Sequence, residues 1–102
     1  MKFKTILGNT VVLTSERRQH IIETHPIMED YLTSLKKILA KPDKIRYSSR
    51  DDRVLLFYRF FDNIGNGKYL VVVVNIAEEA IKTAYLTHRI KTGRKYEINQ
   101  EV

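Results

Sequence analysis

Residues 69–76 (YLVVVVNI) form an almost continuous apolar run in which valines dominate. Such β-branched residues favour strands, and a strand that lacks polar alternation is covered by other elements on both faces. The run is much too short for a membrane-spanning helix, which needs about 20 apolar residues. We therefore expect the chain to fold around a sheet that holds this strand in its interior.

Three more strand-like segments flank this run. Residues 53–61 (RVLLFYRFF) are rich in aromatic and branched side chains, residues 44–48 form a shorter segment, and residues 81–87 follow after a short spacer. Short spacers favour pairing between strands that are consecutive in the chain. The sequence therefore predicts an antiparallel meander of four strands.

Two helices are predicted before these strands. Thr14-Ser15-Glu16 supplies a hydroxyl cap and an acid for the first turn of one helix. Pro26 disfavours helix in the residue before it, so this helix should end near Thr24, and Pro26 suits the first position of the next. The second helix should close at Pro42-Asp43. Its apolar stripe recurs at three- and four-residue intervals: Ile27, Met28, Tyr31, Leu32, Leu35, Ile38 and Leu39.

The N-terminal segments 2–7 and 11–13, joined through Gly8-Asn9-Thr10, predict a hairpin. We thus predict an α+β fold in which two N-terminal helices pack on one face of a four-stranded antiparallel meander sheet, with the hairpin as an accessory. A chain of 102 residues is long enough for one core and too short for two, so a single domain over residues 1–102 is expected.

Composition excludes several classes of function. The absence of cysteine rules out disulfides, thiolate catalysis and cysteine-bound metal. Nothing at the N-terminus is typical of a signal peptide, so a soluble, cytoplasmic protein is expected. The formal net charge of +6, with the basic segment 88–95 (HRIKTGRK), is typical of proteins that bind a phosphate backbone. Small proteins that touch no nucleic acid also show such an excess.

The last predicted strand carries a row of hydroxyl groups. Because side chains alternate along a strand, Ile81, Thr83, Tyr85 and Thr87 should share one face. This face is either exposed to solvent, where Thr and Tyr are good strand formers, or it contacts a ligand.

Arg59 is the second candidate group, since it shares a strand face with the apolar side chains of Leu55, Phe57 and Phe61. A guanidinium in such surroundings needs an anion nearby. That anion is either a bound ligand or a carboxylate of the helices: Glu23, Glu29 or Asp30.

His20 and His25 lie at the end of the first predicted helix. Five residues correspond to about 140° of rotation, so the two side chains do not share a face as a zinc-binding pair would. Either histidine alone could be structural, and His25, just before Pro26, is the better placed as a single titrating group. No metal-binding or cofactor motif is present.

Histidine, arginine and hydroxyl side chains together suit metal-independent RNA cleavage. That reaction needs a base for the 2′-hydroxyl proton, an acid for the leaving 5′-oxygen and donors for the phosphorane oxygens. Histidine titrates near neutral pH, and arginine binds phosphate through two parallel hydrogen bonds.

The order of motifs in the chain is more specific than this set of residue types. The motifs are His20-Ile21-Ile22-Glu23-Thr24-His25-Pro26, Lys41-Pro42-Asp43, Leu56-Phe57-Tyr58-Arg59 and Thr83-Ala84-Tyr85. Over about residues 14–95, the chain resembles phage and bacterial domains of the barnase–EndoU–colicin–RelE-like (BECR) nuclease superfamily.

The resemblance implies a two-helix, four-strand nuclease fold and a metal-independent ribonuclease of toxin or phage-effector type that leaves a cyclic phosphate. It implies His20 or His25 as the acid or base, with His25 favoured because the break at Pro26 fixes its direction, and Arg59 as the phosphate clamp. No cofactor or metal is implied. The implied contacts to RNA are Thr83, Tyr85, Thr87, Arg89, Lys91, Arg94 and Lys95.

Two other functions stay open at this point. The chain could be an inactive member of the same fold that binds RNA through its basic surface. It could also be a protein-interaction module, such as a toxin-like subunit held by an acidic antitoxin or inhibitor protein. RNA and such an inhibitor are the partners expected, and no membrane is.

Overall fold

The structure is a computed structural model that describes residues 1–91 and 94–96. These described residues form six strands, two α-helices and one 3-10 helix. In order, they are β1 (Lys2–Lys4), β2 (Thr10–Val12), α1 (Ser15–Thr24), the 3-10 helix (Pro26–Ser34), α2 (Leu35–Ala40), β3 (Lys44–Tyr47), β4 (Val54–Phe61), β5 (Lys68–Asn75) and β6 (Ala80–Thr87).

All six strands belong to one sheet in the order β1-β2-β6-β5-β4-β3. The α+β class is confirmed, and β3 to β6 pair antiparallel in succession. The prediction of a four-stranded antiparallel sheet with a separate hairpin is wrong in detail, because the hairpin strands β1 and β2 join the sheet. Strand β2 runs parallel to β6 through the single pair Val12 and Ala80, and the Val12 amide donates to the Glu79 carbonyl at 2.9 Å. The sheet is therefore mixed.

Helix α1 begins as predicted, since the Thr14 hydroxyl accepts a hydrogen bond from the Arg17 amide at 3.1 Å. The second predicted helix is divided into the 3-10 helix and the short α2. A 3-10 helix has three residues per turn, so the 3.6-residue pattern does not describe its faces. Ile27, predicted in the apolar stripe, is accordingly 52% exposed, whereas Met28 and Leu32 are buried.

The helices cover one face of the sheet, which we call the core face. Their buried side chains pack against β4 and β5 residues such as Leu55, Phe57 and Val72. The central strand is confirmed, because β5 is buried on the opposite face as well, through Val71. We call this second face the open face, since no helix lies on it among the described residues.

The chain after β6 crosses the open face. Ile90 packs against Leu56 and Tyr58 there, and the Lys91 amide donates a hydrogen bond to the Tyr58 hydroxyl at 3.3 Å. Residues 94–96 then lie along the outer edge of β3, where the Tyr47 amide donates to the Arg94 carbonyl at 2.9 Å. We call residues 88–91 and 94–96 the crossing segment.

No helix within the described ranges has the length and apolar character needed to cross a membrane.

Candidate functional site

Helix α1 lies beside the edge of β6 that β2 leaves uncovered. Since β2 pairs with β6 at Ala80 alone, the rest of that edge contacts α1 instead, and the Arg17 guanidinium donates to the Lys82 carbonyl at 3.5 Å. The C-terminal end of α1 therefore comes to the rim of the open face.

His25 stands at this rim, directly after α1. Its amide donates to the Ile21 carbonyl at 2.7 Å, and Pro26 then begins the 3-10 helix. The His25 side chain is half-buried, and its ring centroid lies 5.6 Å from that of Tyr85 on β6. The sequence named both residues as candidates, and the structure brings them together.

Tyr85 belongs to a row of open-face residues that crosses the sheet through Val71 to Tyr58. Burial raises the pKa of the Tyr85 phenol above its usual value of 10.0, and the nearby Tyr58 phenol raises it further. The Tyr85 hydroxyl therefore stays protonated near neutral pH, where it can donate a hydrogen bond.

Tyr58 is completely buried beneath the crossing segment. Burial raises the pKa of its phenol, while the hydrogen bond from the Lys91 amide and the positive charge of Arg46 act in the opposite direction. His25, Tyr85, Tyr58 and Arg46 thus follow one another across the open face. Tyr58 and Arg46 were missed as site residues, because the sequence does not tell which strand face the helices leave uncovered.

Two aromatic rings, one of them exposed, continue the open face toward the β4–β5 turn. Phe60 is 46% exposed, and its ring centroid lies 5.2 Å from that of Tyr69 in an edge-to-face arrangement. Tyr69 is paired in register with both Phe60 and Thr87. The predicted contact residue Thr87 therefore lies beside two aromatic side chains that the sequence analysis did not single out.

Arg59 lies on the other face of the sheet. The register places it in line with Leu70 and Leu86, which pack in the core. Its guanidinium donates a hydrogen bond to the Lys41 carbonyl, and no ion pair with a helix carboxylate is recorded for it in the described part of the chain. The structure thus separates Arg59 from His25 and Tyr85.

His20 is exposed on the outer surface of α1, in a shallow depression that also contains Glu16 and Glu23. It is not part of the open face. Of the two histidines, only His25 therefore lies beside the hydroxyl row of β6.

An irregularity in β6 changes the predicted hydroxyl row. The register shifts between Val73 and Val74, so that Thr83 pairs with Val73 and Ile81 with Val74. Ile81 is consequently buried in the core, and the prediction that it shares a face with Thr83 is wrong. A β-bulge inserts one unpaired residue, which simple alternation does not anticipate.

The four predicted basic contacts lie along the crossing segment. Arg89 and Lys91 are exposed near the end of β6. Arg94 is held against the β3–β4 loop, since it pairs with Asp52 at 2.9 Å and lies 4.1 Å above the Tyr47 ring. Lys95 is paired with Arg46 by backbone contacts at the sheet edge.

Comparisons with protein-family models, with curated proteins and with solved structures gave no match. Among residues 1–91 and 94–96, no group of three or more His, Asp or Glu side chains is arranged to hold a metal ion.

Proposed function

We propose that this protein is a metal-independent RNA endonuclease that binds single-stranded RNA across the open face. The observation that carries the proposal is the placement of His25 against Tyr85, at the rim of the sheet face that the helices leave uncovered. A titratable imidazole beside a protonated phenol provides two of the groups that phosphodiester cleavage requires.

In the proposed reaction the 2′-oxygen attacks the adjacent phosphorus. A new bond from the 2′-oxygen to phosphorus forms while the bond from phosphorus to the 5′-oxygen breaks, which leaves a 2′,3′-cyclic phosphate and a free 5′-hydroxyl. His25 takes the 2′-hydroxyl proton or supplies the proton that the 5′-oxygen gains, as imidazole does near neutral pH. The Tyr85 hydroxyl, whose pKa is raised by burial, donates to a non-bridging oxygen.

Substrate binding would use the aromatic and basic side chains of the same face. Bases of a single strand stack on aromatic rings, for which the exposed Phe60 and the half-buried Tyr69 beside it are placed. Arg89 and Lys91 of the crossing segment would contact phosphates. The phosphate-clamp role of Arg59 has no support in its core-side position, and the proposal does not include it.

The proposal is tested by incubating a labelled RNA pool with wild type, His25→Ala and His20→Ala, all in excess EDTA. We expect cleavage by wild type and by His20→Ala, because His20 lies on the outer surface of α1. His25→Ala should be slower by about 10²–10⁴-fold, the usual contribution of a general acid or base. Products should end in a cyclic phosphate, and equal cutting by His25→Ala would contradict the proposal.

The aromatic side chains of the open face and the basic segment also fit an inactive RNA-binding module, since neither feature requires catalysis. Such a protein would bind RNA with a strong salt dependence, and His25→Ala would barely change its affinity. Binding by wild type without any cleavage in the same experiment would favour this second function.

A further inference from the structure

We propose that Arg46 holds a second phosphate of the bound RNA, in a pocket between β3, the β3–β4 loop and the crossing segment. The inference rests on the proposed function for its ligand class, because it takes that ligand to be an RNA strand. It concerns a phosphate other than the one at His25, and a residue that the sequence analysis did not name.

The pocket has a volume of about 300 Å³. Small-molecule sites begin at about this size, so it is suited to a phosphate with its sugar rather than to a large ligand. Its polar lining consists of three cations and four hydroxyl-bearing side chains, while no carboxylate lines it in the described part of the chain. The cations are Arg46, Arg50 and Lys91, and the hydroxyl groups belong to Tyr47, Ser48, Ser49 and Tyr58.

Arg46 itself has unmet hydrogen-bonding capacity. Its Nε and Nη1 atoms are buried and have no hydrogen-bond partner among the described residues. Buried guanidinium nitrogens without an acceptor are costly, because they have lost hydrogen bonds to water and gained none in exchange. A phosphate in the pocket would supply the missing acceptors, and arginine is the side chain best suited to bind it.

The neighbouring carboxylates are already engaged by other arginines. Asp51 binds Arg53 through two contacts of 3.0 Å each, and Asp52 binds Arg94 at 2.9 Å. Within residues 1–91 and 94–96, no ion pair includes Arg46. Both acids of this loop are therefore paired with arginines outside the pocket, which leaves the pocket positive.

Hydrogen bonds within the β3–β4 loop also fix the wall of the pocket. The Arg50 amide donates to the Ser48 hydroxyl at 3.2 Å, and the Ser48 amide donates to the Val54 carbonyl at 2.9 Å. The binding groups are thus held in place before any ligand arrives, which lowers the entropy lost on binding.

Arg46 and the proposed cleavage site are far enough apart to contact two phosphates of one extended RNA chain. Arg46 lies in the open-face row that continues through Leu56 and Val73 to Thr83 on β6. Three strand spacings separate the ends of this row, or about 14 Å. A phosphate at Arg46 and another beside His25 would therefore belong to different nucleotides of the same RNA.

The test uses the full chain and an RNA oligonucleotide in which fluorine replaces every 2′-hydroxyl, so that it binds but cannot be cleaved. We expect Arg46→Met to bind it at least about 10-fold more weakly than wild type, with a salt slope smaller by about one. The matched control is Arg53→Met, which also removes one charge but lies outside the pocket and is paired with Asp51. Equal losses in both variants would overturn the inference.

A second measurement needs no RNA and excludes misfolding as the cause. Inorganic phosphate, at constant ionic strength, should raise the melting temperature of wild type and leave that of Arg46→Met unchanged. Without phosphate, Arg46→Met should melt no lower than wild type, since it removes two buried nitrogens that have no partner among the described residues. No shift in wild type, or the same shift in both, would overturn the inference.

The two proposals can fail separately. Loss of oligonucleotide binding in Arg46→Met, combined with full cleavage by His25→Ala, would contradict the nuclease site and leave the phosphate pocket standing. Phosphate binding at Arg46 without any affinity for the oligonucleotide would overturn RNA as the ligand of the pocket.

Discussion

At the scale of single residues, the open face is defined by polar groups that the fold has partly removed from water. Tyr58 and Tyr85 keep their hydroxyls on this face while their rings are packed in a cluster with Leu56, Val71 and Val73. Burial favours the neutral form of a phenol, so both groups act as hydrogen-bond donors or acceptors rather than as charges near neutral pH.

The raised pKa of Tyr85 predicts a loss of stability at alkaline pH. The folded protein holds the Tyr85 proton more tightly than the unfolded chain does. This contribution to the free energy of unfolding is therefore fully present below about pH 10 and is lost as the pH rises through the raised value. Urea unfolding of wild type and Tyr85→Phe at neutral pH and above pH 10 measures it.

In that comparison, Tyr85→Phe should lose less stability than wild type between the two pH values, because phenylalanine has no proton to release. Tyr58→Phe should behave in the same way, since burial also raises the pKa of Tyr58. An identical alkaline loss in wild type and both variants would show that neither phenol is desolvated as described.

Some residues of the candidate site could be predicted from the sequence, and others could not. His25 and Tyr85 could be named from the sequence, since the break at Pro26 and the alternation along β6 single them out. Arg46 could not, because its importance comes from buried nitrogens without partners, and that is a property of the assembled pocket. Arg59 was assigned a site role because alternation groups side chains by face without revealing which face is open.

At the scale of elements, the β4–β5 hairpin positions the exposed aromatic ring. Gly67 precedes β5 with a φ of +97°, a backbone conformation that disfavours residues with a Cβ. A Cβ built at this position would come within 2.5 Å of the Phe60 ring. The absence of a side chain at Gly67 therefore allows Phe60 to lie over the turn.

Gly67→Ala should weaken RNA binding by displacing Phe60. The matched control is Gly8→Ala, whose φ is +93° but where an added Cβ would meet open space. Both variants should lose about 1 kcal/mol or more of stability from backbone strain. Because Phe60 is exposed and can rotate away, the two losses should be similar, whereas affinity for the uncleavable oligonucleotide should fall in Gly67→Ala alone.

Thermal melts and binding isotherms of the two glycine variants measure this difference. A matching drop in affinity for Gly8→Ala would mean that general destabilisation, rather than the position of Phe60, weakens binding. Unchanged affinity in Gly67→Ala would remove Phe60 from the proposed stacking surface.

Elements with strong local signals were predictable, and those made by long-range pairing were not. The Thr14 cap and the β5 run fix α1 and the central strand locally. The bulge in β6 and the path of the crossing segment depend instead on contacts such as Ile90 with Tyr58, which no local pattern encodes. The second predicted helix is divided into the 3-10 helix Pro26–Ser34 and α2, and this too was not predictable, because 3-10 and α-helical segments have similar sequences.

At the scale of the whole molecule, the two faces of the sheet differ in how they are covered. The helices cover the core face, whereas the crossing segment covers only part of the open face. The core face is closed, whereas the open face keeps His25 at one side and Arg46 at the other. The α+β class followed from composition and periodicity. The mixed sheet did not, because β2 joins β6 through one residue pair and strands of three residues carry almost no pattern.

The central claim is that RNA lies along the open face, and NMR of the full chain with the uncleavable oligonucleotide tests it most directly. The largest chemical-shift changes should fall on Tyr85, Phe60 and the Arg46 side chain. The chemical shifts of residues on the outer surface of α1, such as His20, should stay unchanged. Changes centred on α1 and α2, with none on the open face, would contradict the account.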